Sequence, residues 1–180
     1  GKLQDGTLFA PKYLENKLKF FAAIKEAVAF GHARPQTTAI INIDMQAVGD
    51  WAERRGIAYS GYQDLSAKPQ VYDLVAECVE KVNADLADDP KLAGSQIHRF
   101  VVLHKELDAD DGELTRTRKV RRGFIAEKYE TVVHALYGDT DHCWVEAQVR
   151  FEDGRTGTVR AQLAVREAKT FAPAAARKAA

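Results

Sequence analysis

Residues 97–103, Ile-His-Arg-Phe-Val-Val-Leu, carry apolar side chains in both strand registers. A strand that is apolar on both faces belongs inside a sheet covered on both sides, so the chain is expected to build a layered domain. One layer is legible just upstream. Val71, Leu74, Val75, Cys78, Val79, Val82 and Leu86 recur at steps of three and four, which predicts an amphipathic helix with Cys78 on its buried face. Pro11 at a first helical position, followed by Leu14, Leu18 and Phe21, predicts a shorter helix over 11–21 lying on a sheet. Two β-rich runs, 24–30 and 38–43, are joined by Gly-His-Ala-Arg-Pro-Gln and read as a hairpin. Asp44 is placed to cap a helix through Trp51 to Arg55, with Gly56 as its stop and a linker to Pro69 beyond. Trp51 reads as packing. Ile125, Tyr129, Val132, Val133 and Leu136 predict one more helix, ending near Tyr137 and Gly138.

After residue 143 the period changes. Val145, Ala147, Val149 and Phe151 alternate with polar residues, and Val159, Ala161, Leu163 and Val165 repeat the alternation beyond Asp153-Gly154-Arg155. This is a hairpin with one apolar face. Residues opposite each other in an antiparallel pair share a face, so Val149 is expected opposite Val159, with Asp153 to Arg155 as a three-residue loop. The Ala-rich end, 169–180, reads as a flexible tail.

At 180 residues, 46% hydrophobic and 29% charged, the chain can bury a core without staples. Lys plus Arg (26) balances Asp plus Glu (26), so no global field favours nucleic acid or an anionic membrane. Cys78 and Cys143 lie far apart and read as reduced thiols of a cytoplasmic protein. The first residues lack a signal-peptide pattern, and no apolar run reaches the ~18 residues that span a bilayer.

Residues 106–122 stand apart. Glu106, Asp108, Asp110, Asp111 and Glu113 are followed at once by Arg116, Arg118, Lys119, Arg121 and Arg122. A solvated, self-neutralising loop is the plain reading of such a charge run. A calcium loop does not fit, because its glycine would come one place early and Lys119 stands where the bidentate Glu belongs. A nucleic-acid patch is disfavoured by the neutral chain, the adjacent acidic cluster and the lack of interleaved aromatics. His98, His104, His134 and His142 have no carboxylate or cysteine at ligand spacing, so no metal site is expected.

Leu114-Thr-Arg-Thr-Arg-Lys119-Val-Arg-Arg122 resembles the C-terminal signature of adenylate-forming enzymes, in the Leu-Thr-Pro-Thr-x-Lys form of long-chain acyl-CoA synthetases. Asp5 to Asn16 is similar to the family segment after the inter-domain hinge, Gly-x-x-x-x-Pro-x-x-(Ile/Leu)-Glu, and 24–31 to the strand that follows it. The resemblance covers residues 5 to about 137 in order. Arg116 replaces the family's proline, which puts the loop's conformation in question.

The resemblance implies an α+β fold: a small mixed sheet flanked by helices, the family's lid domain, over 1–138, with a C-terminal β-hairpin extension packed on it over 139–168. It implies a fragment of an ATP-dependent long-chain fatty acid–CoA ligase, inactive alone, whose partner is an N-terminal adenylation domain. That domain would bind ATP with Mg²⁺ and the fatty acid. Lys119 would be the catalytic residue, bridging carboxylate and α-phosphate oxygens, a task suited to a compact cation on a flexible stem. Gly6 and Thr7 would line the path of coenzyme A, though Gly6 also reads as a turn glycine. Arg121 and Arg122 would contact coenzyme A phosphates or, the preferred reading, pair with the acidic loop. Cytoplasmic location, with peripheral membrane proximity, completes the expectation. The rival is a stand-alone binding module that has kept the lid fold.

Overall fold

A computed structural model describes residues 1–179. Its strands are β1 (Ile24–Phe30), β2 (Thr37–Ile43), β3 (Ile97–Val102), β4 (His142–Arg150), β5 (Thr156–Ala164) and β6 (Arg166–Glu167). The helices are α1 (Pro11–Lys19), α2 (Met45–Arg54), α3 (Tyr62–Ala67), α4 (Pro69–Ala87), α5 (Arg122–Lys128), α6 (Glu130–Leu136) and α7 (Ala174–Ala179). Four strands form one mixed sheet in the order β1-β2-β3-β6: β1 and β2 are antiparallel, β2 and β3 parallel, β3 and β6 antiparallel. β4 and β5 make a separate ribbon. This is the expected α+β architecture, with β3 inside the sheet.

Alternation along the strands divides the core in two. Ala39, Ile41, Ile43, Phe100 and Val102 pack with Leu14 and Leu18 of α1, Val48 of α2, and Val71, Val75, Val79 and Val82 of α4. Val28, Phe30, Ile40, Val101 and Leu103 face the other way, onto Ile125, Val132 and Leu136 and the ribbon's Cys143 and Leu163. Each fully buried Leu or Ile stabilises by roughly 1.5–3 kcal/mol relative to exposure. The face bearing α5, α6 and the ribbon also carries the charged loop.

Asp44 caps α2 as expected, its side chain accepting the Ala47 N–H at 2.9 Å. The stretch read as a linker before Pro69 instead contains α3, because Leu65 is fully buried and the Tyr62 hydroxyl reaches the Ile43 carbonyl at 3.3 Å. The single helix expected over 125–136 is interrupted at Tyr129 (φ −107°, ψ 35°), where the tyrosine hydroxyl is committed to Glu113. The ribbon's register also differs from expectation. Ala147 lies opposite Val159, and Val149 opposite Gly157. The loop does have three residues, but they are 152–154: Phe151 N–H donates to the Arg155 carbonyl at 2.8 Å, and Gly154 takes φ +84°. A left-handed third position is what such a loop requires.

Arg99 shares a face with Val101 and Leu103 and is 8% exposed. Its guanidinium donates to the carbonyls of Ala135 (2.9 Å), Gly138 (2.6 Å) and Thr140, collecting the acceptors left open where α6 ends. Beyond β6, Lys169 and Phe171 are tied to Asn83 and Gln96 through backbone groups. Among the described residues no helix is long and apolar enough to cross a membrane.

Candidate active site

Lys119 stands on a short hairpin. Leu114 and Val120 bridge, Thr115 N–H donates to the Lys119 carbonyl at 2.8 Å, and Arg118 N–H closes a turn onto the Thr115 carbonyl at 2.9 Å. The Thr115 hydroxyl oxygen accepts the Lys119 N–H at 3.0 Å and lies 3.1 Å from the Thr117 hydroxyl. The two threonines of the signature thus lock the turn that presents the lysine. Arg118 occupies its left-handed position at φ +63°, a conformation costing a non-glycine residue about 1–2 kcal/mol. The turn forms without the family's proline: Arg116 occupies its second residue, where proline would only preset φ. Lys119 is exposed.

The roots of this hairpin are polar and buried. Glu113, with no exposed side-chain surface, accepts from Lys105 Nζ (2.7 Å), Lys128 Nζ (3.0 Å), the Asp108 N–H (3.0 Å) and the Tyr129 hydroxyl. Burial alone would raise its pKa, but the bonds from Lys105, Tyr129 and Lys128 outweigh burial and hold the carboxyl below its ordinary value. Its own carbonyl accepts the Arg121 N–H at 3.0 Å. Asn42 on β2 pins the chain as it leaves β3, donating to the Lys105 carbonyl (2.8 Å) and accepting from the Leu107 N–H (2.7 Å).

At the returning root, Arg122 Nη2 meets both oxygens of Glu15 at 2.7 and 2.8 Å, and its Nε donates to the Ala29 carbonyl at 3.1 Å. Glu15 also accepts the Ala29 N–H at 2.8 Å. Burial pushes Glu15 above its ordinary value, against the pull of Arg122 and that N–H. Arg122 therefore pairs with α1 rather than with the acidic loop. Arg121 does meet that loop, through the Gly112 carbonyl at 2.8 Å, and lies 5.0 Å from the Phe124 ring centroid. The acidic residues are matched mostly by lysines outside the basic run: Asp111 and Glu113 by Lys105, and Glu106 by Lys25 at 3.6 Å.

Gly6 and Thr7 form a different contact group. Gly6 is a turn glycine at φ +87°, its N–H on the Leu3 carbonyl at 3.0 Å, and a Cβ there would meet nothing within 4 Å. Thr7 packs against Gly94, and the preceding Gln4 bonds the Arg34 carbonyl beside the β1–β2 turn. A groove between α5–α6 and β4, lined by His104, Lys105, Lys128 and Glu146, does not include Lys119. Among the described residues no cluster of His, Cys, Asp or Glu is placed to hold a metal. Reading the sequence as a surface charge run missed Glu113. Glu15 did leave a signal, as an acidic residue between Leu14 and Leu18 on the buried arc of α1. Chemically, the arrangement presents one exposed ammonium on a braced hairpin.

The class is given first by shape. The fold superimposes, over 76% of this chain and 17% of the other, on the A-PCP didomain of carboxylic acid reductase from Segniliparus rugosus in complex with AMP, with a TM-score of 0.56 and 15% identity. That likeness concerns the fold alone. The sequence then gives the family: residues 2–141 match the AMP-binding enzyme C-terminal domain, and the chain belongs to that family. It is 32% identical over 133 residues to the long-chain-fatty-acid–CoA ligase FadD15 of Mycobacterium tuberculosis, covering 73% of this chain and 21% of that protein. With the peroxisomal long chain acyl-CoA synthetase 7 of Arabidopsis thaliana it shares 25% over 140 residues, 77% of this chain and 19% of the relative. The chain thus spans about a fifth of the length of these relatives.

Proposed function

We propose that this chain is the lid of an ATP-dependent long-chain fatty acid–CoA ligase, working against an adenylation domain of the same protein, and that Lys119 is its adenylation lysine. The observation that carries the reading is Lys119 itself: exposed, on a hairpin whose turn is locked by both threonines of the signature. The names of the relatives support the substrate class.

In the first half-reaction a carboxylate oxygen of the fatty acid attacks the α-phosphorus of ATP. The bond from that phosphorus to the bridging oxygen breaks, and pyrophosphate leaves. Negative charge gathers on the α-phosphate and carboxylate oxygens, where the Lys119 ammonium bridges them. Mg²⁺ accompanies ATP in the adenylation domain. In the second half-reaction the coenzyme A thiolate attacks the acyl carbon and AMP departs. For this step the lid turns another face to the site, and the open turn at Gly6 and Thr7 lets backbone approach the thin pantetheine arm. Arg121, which is exposed, is available to coenzyme A phosphates.

In the full-length enzyme, Lys119→Ala lowers adenylate formation by ~10²–10³-fold and spares thioester formation from supplied acyl-adenylate. Pyrophosphate release measures the first step and acyl-CoA yield the second. Equal loss in both assays sinks the assignment.

A further inference from the structure

Glu15 and Arg122 lie 107 positions apart, one in α1 and one at the start of α5. Each belongs to one of the two sequence segments that mark the family. Glu15 is 5% exposed, and its two oxygens are taken by the Arg122 guanidinium and the Ala29 N–H. Arg122 returns a second bond to Ala29, through Nε on the carbonyl. The edge of β1 at Ala29, the last part of α1 to pass it, and the chain three residues beyond Lys119 therefore meet in a single three-way junction. A guanidinium held at two points, Nη2 on both carboxylate oxygens and Nε on the strand carbonyl, fixes orientation as well as distance, which apolar packing cannot do.

We infer that Glu15 and Arg122 are a positioning pair: they set the direction in which the Lys119 hairpin leaves the sheet, and so carry the lysine as one rigid piece with α1. The inference rests on reading Lys119 as the adenylation lysine, and it takes Arg122 away from coenzyme A. Glu113 fixes the outgoing root of the hairpin, but its partners are Lys105, the Asp108 N–H, Lys128 and Tyr129, none of them in α1. Among the described residues, only the Glu15–Arg122 junction ties the lysine's loop by a side-chain bond to the segment that follows the hinge.

Two measurements test this. On the 180-residue chain, hydrogen exchange of the peptide 115–125 is compared among wild type, Glu15→Gln and Arg122→Lys. Its protected amides are those of Thr115, Arg118, Lys119, Arg121 and Ile125. Both variants keep a polar group in place but disrupt the junction, glutamine by removing the carboxylate charge and lysine by removing the Nε bond to Ala29. Exchange of this peptide is expected to rise at least several-fold while α4 keeps wild-type protection. Unchanged exchange overturns the inference, and this readout does not depend on any activity. In the full-length enzyme, Glu15→Gln and Arg122→Ala should each lower kcat for adenylation about tenfold, with the double variant no worse than either single one. The KM for coenzyme A in the thioester step should stay unchanged in both. A raised KM with Arg122→Ala that Glu15→Gln does not reproduce assigns Arg122 to the coenzyme and overturns the inference. If Lys119→Ala itself leaves adenylation intact, the underlying reading has failed, and the exchange result still decides whether the pair positions the hairpin.

Discussion

Two hairpins in this molecule close with the same three-residue loop and do opposite things with it. In the short one Thr115 N–H meets the Lys119 carbonyl and Arg118 N–H turns back to Thr115; in the long one Phe151 N–H meets Arg155 and Gly154 N–H turns back to Phe151. The left-handed position is Arg118 in the first and Gly154 in the second. The roots differ more. Cys143, Ala147, Leu163 and Val165 seat the long hairpin by apolar burial, while its far end leaves Phe151 and Val159 52% and 40% exposed. Glu113, Asn42 and the Glu15–Arg122 junction seat the short one by directed bonds. Apolar contact is non-directional, so it anchors an arm without aiming it. In the role proposed for Lys119, a hairpin that delivers one ammonium needs aim.

Glu113→Ala takes the shared acceptor from Lys105, Lys128 and the Tyr129 hydroxyl; Lys105 keeps Asp111 and both lysines reach solvent, so the loss falls at the low end for a broken buried ion pair, about 3 kcal/mol. Chemical denaturation of the chain measures it, and a loss under 1 kcal/mol would show that the cluster does not brace the loop. Leu163→Ala at the apolar root should cost about 3 kcal/mol, yet leave exchange of the 115–125 peptide as in wild type. Loosening of that peptide would mean the two roots are one unit. Arg118→Gly removes the left-handed penalty and should stabilise by about 1 kcal/mol, seen as a raised Tm. No gain would mean that the arginine makes a compensating contact.

The two buried carboxylates sharpen the same contrast through pH. Glu113 is held below the ordinary value of 4.5, so the folded state prefers it ionised. Its contribution is fully present above that value and is lost as pH falls through the lowered pKa. Glu15 is raised, so the folded state holds its proton more tightly than the unfolded chain does. Its contribution is greatest below the ordinary value and declines as pH rises through the raised pKa. Stability measured against pH between 3 and 7 should therefore differ from wild type with opposite slopes in Glu113→Gln and Glu15→Gln. Parallel slopes would refute the assignment of the two environments.

The layers were legible in the sequence wherever periodicity was long. The stripe from Val71 to Leu86 and the doubly apolar β3 placed two elements and their burial, and Asp44 gave a helix start from its side chain alone. What periodicity could not show was polar burial. Arg99 sits in a strand whose pattern is apolar, and its carbonyl partners lie 36 or more positions away. Glu113 looked like its four acidic neighbours because burial depends on Lys128 and Tyr129, which only the fold brings to it. The ribbon's face was readable and its register was not, since alternation fixes parity and leaves shifts of two residues undecided. Lys119 was singled out by its signature alone; that the two threonines beside it lock its turn came from the geometry.

The junction at Ala29 has one more consequence, for how this domain keeps company with other copies of itself. A sheet of four strands offers two edges onto which a stray strand can add. One, β1, is interrupted at Ala29, where Glu15 takes the N–H and Arg122 the carbonyl; the other, β6, is only two residues long. The long strands β4 and β5, paired only with each other among the described residues, keep the outer edges more open to self-association.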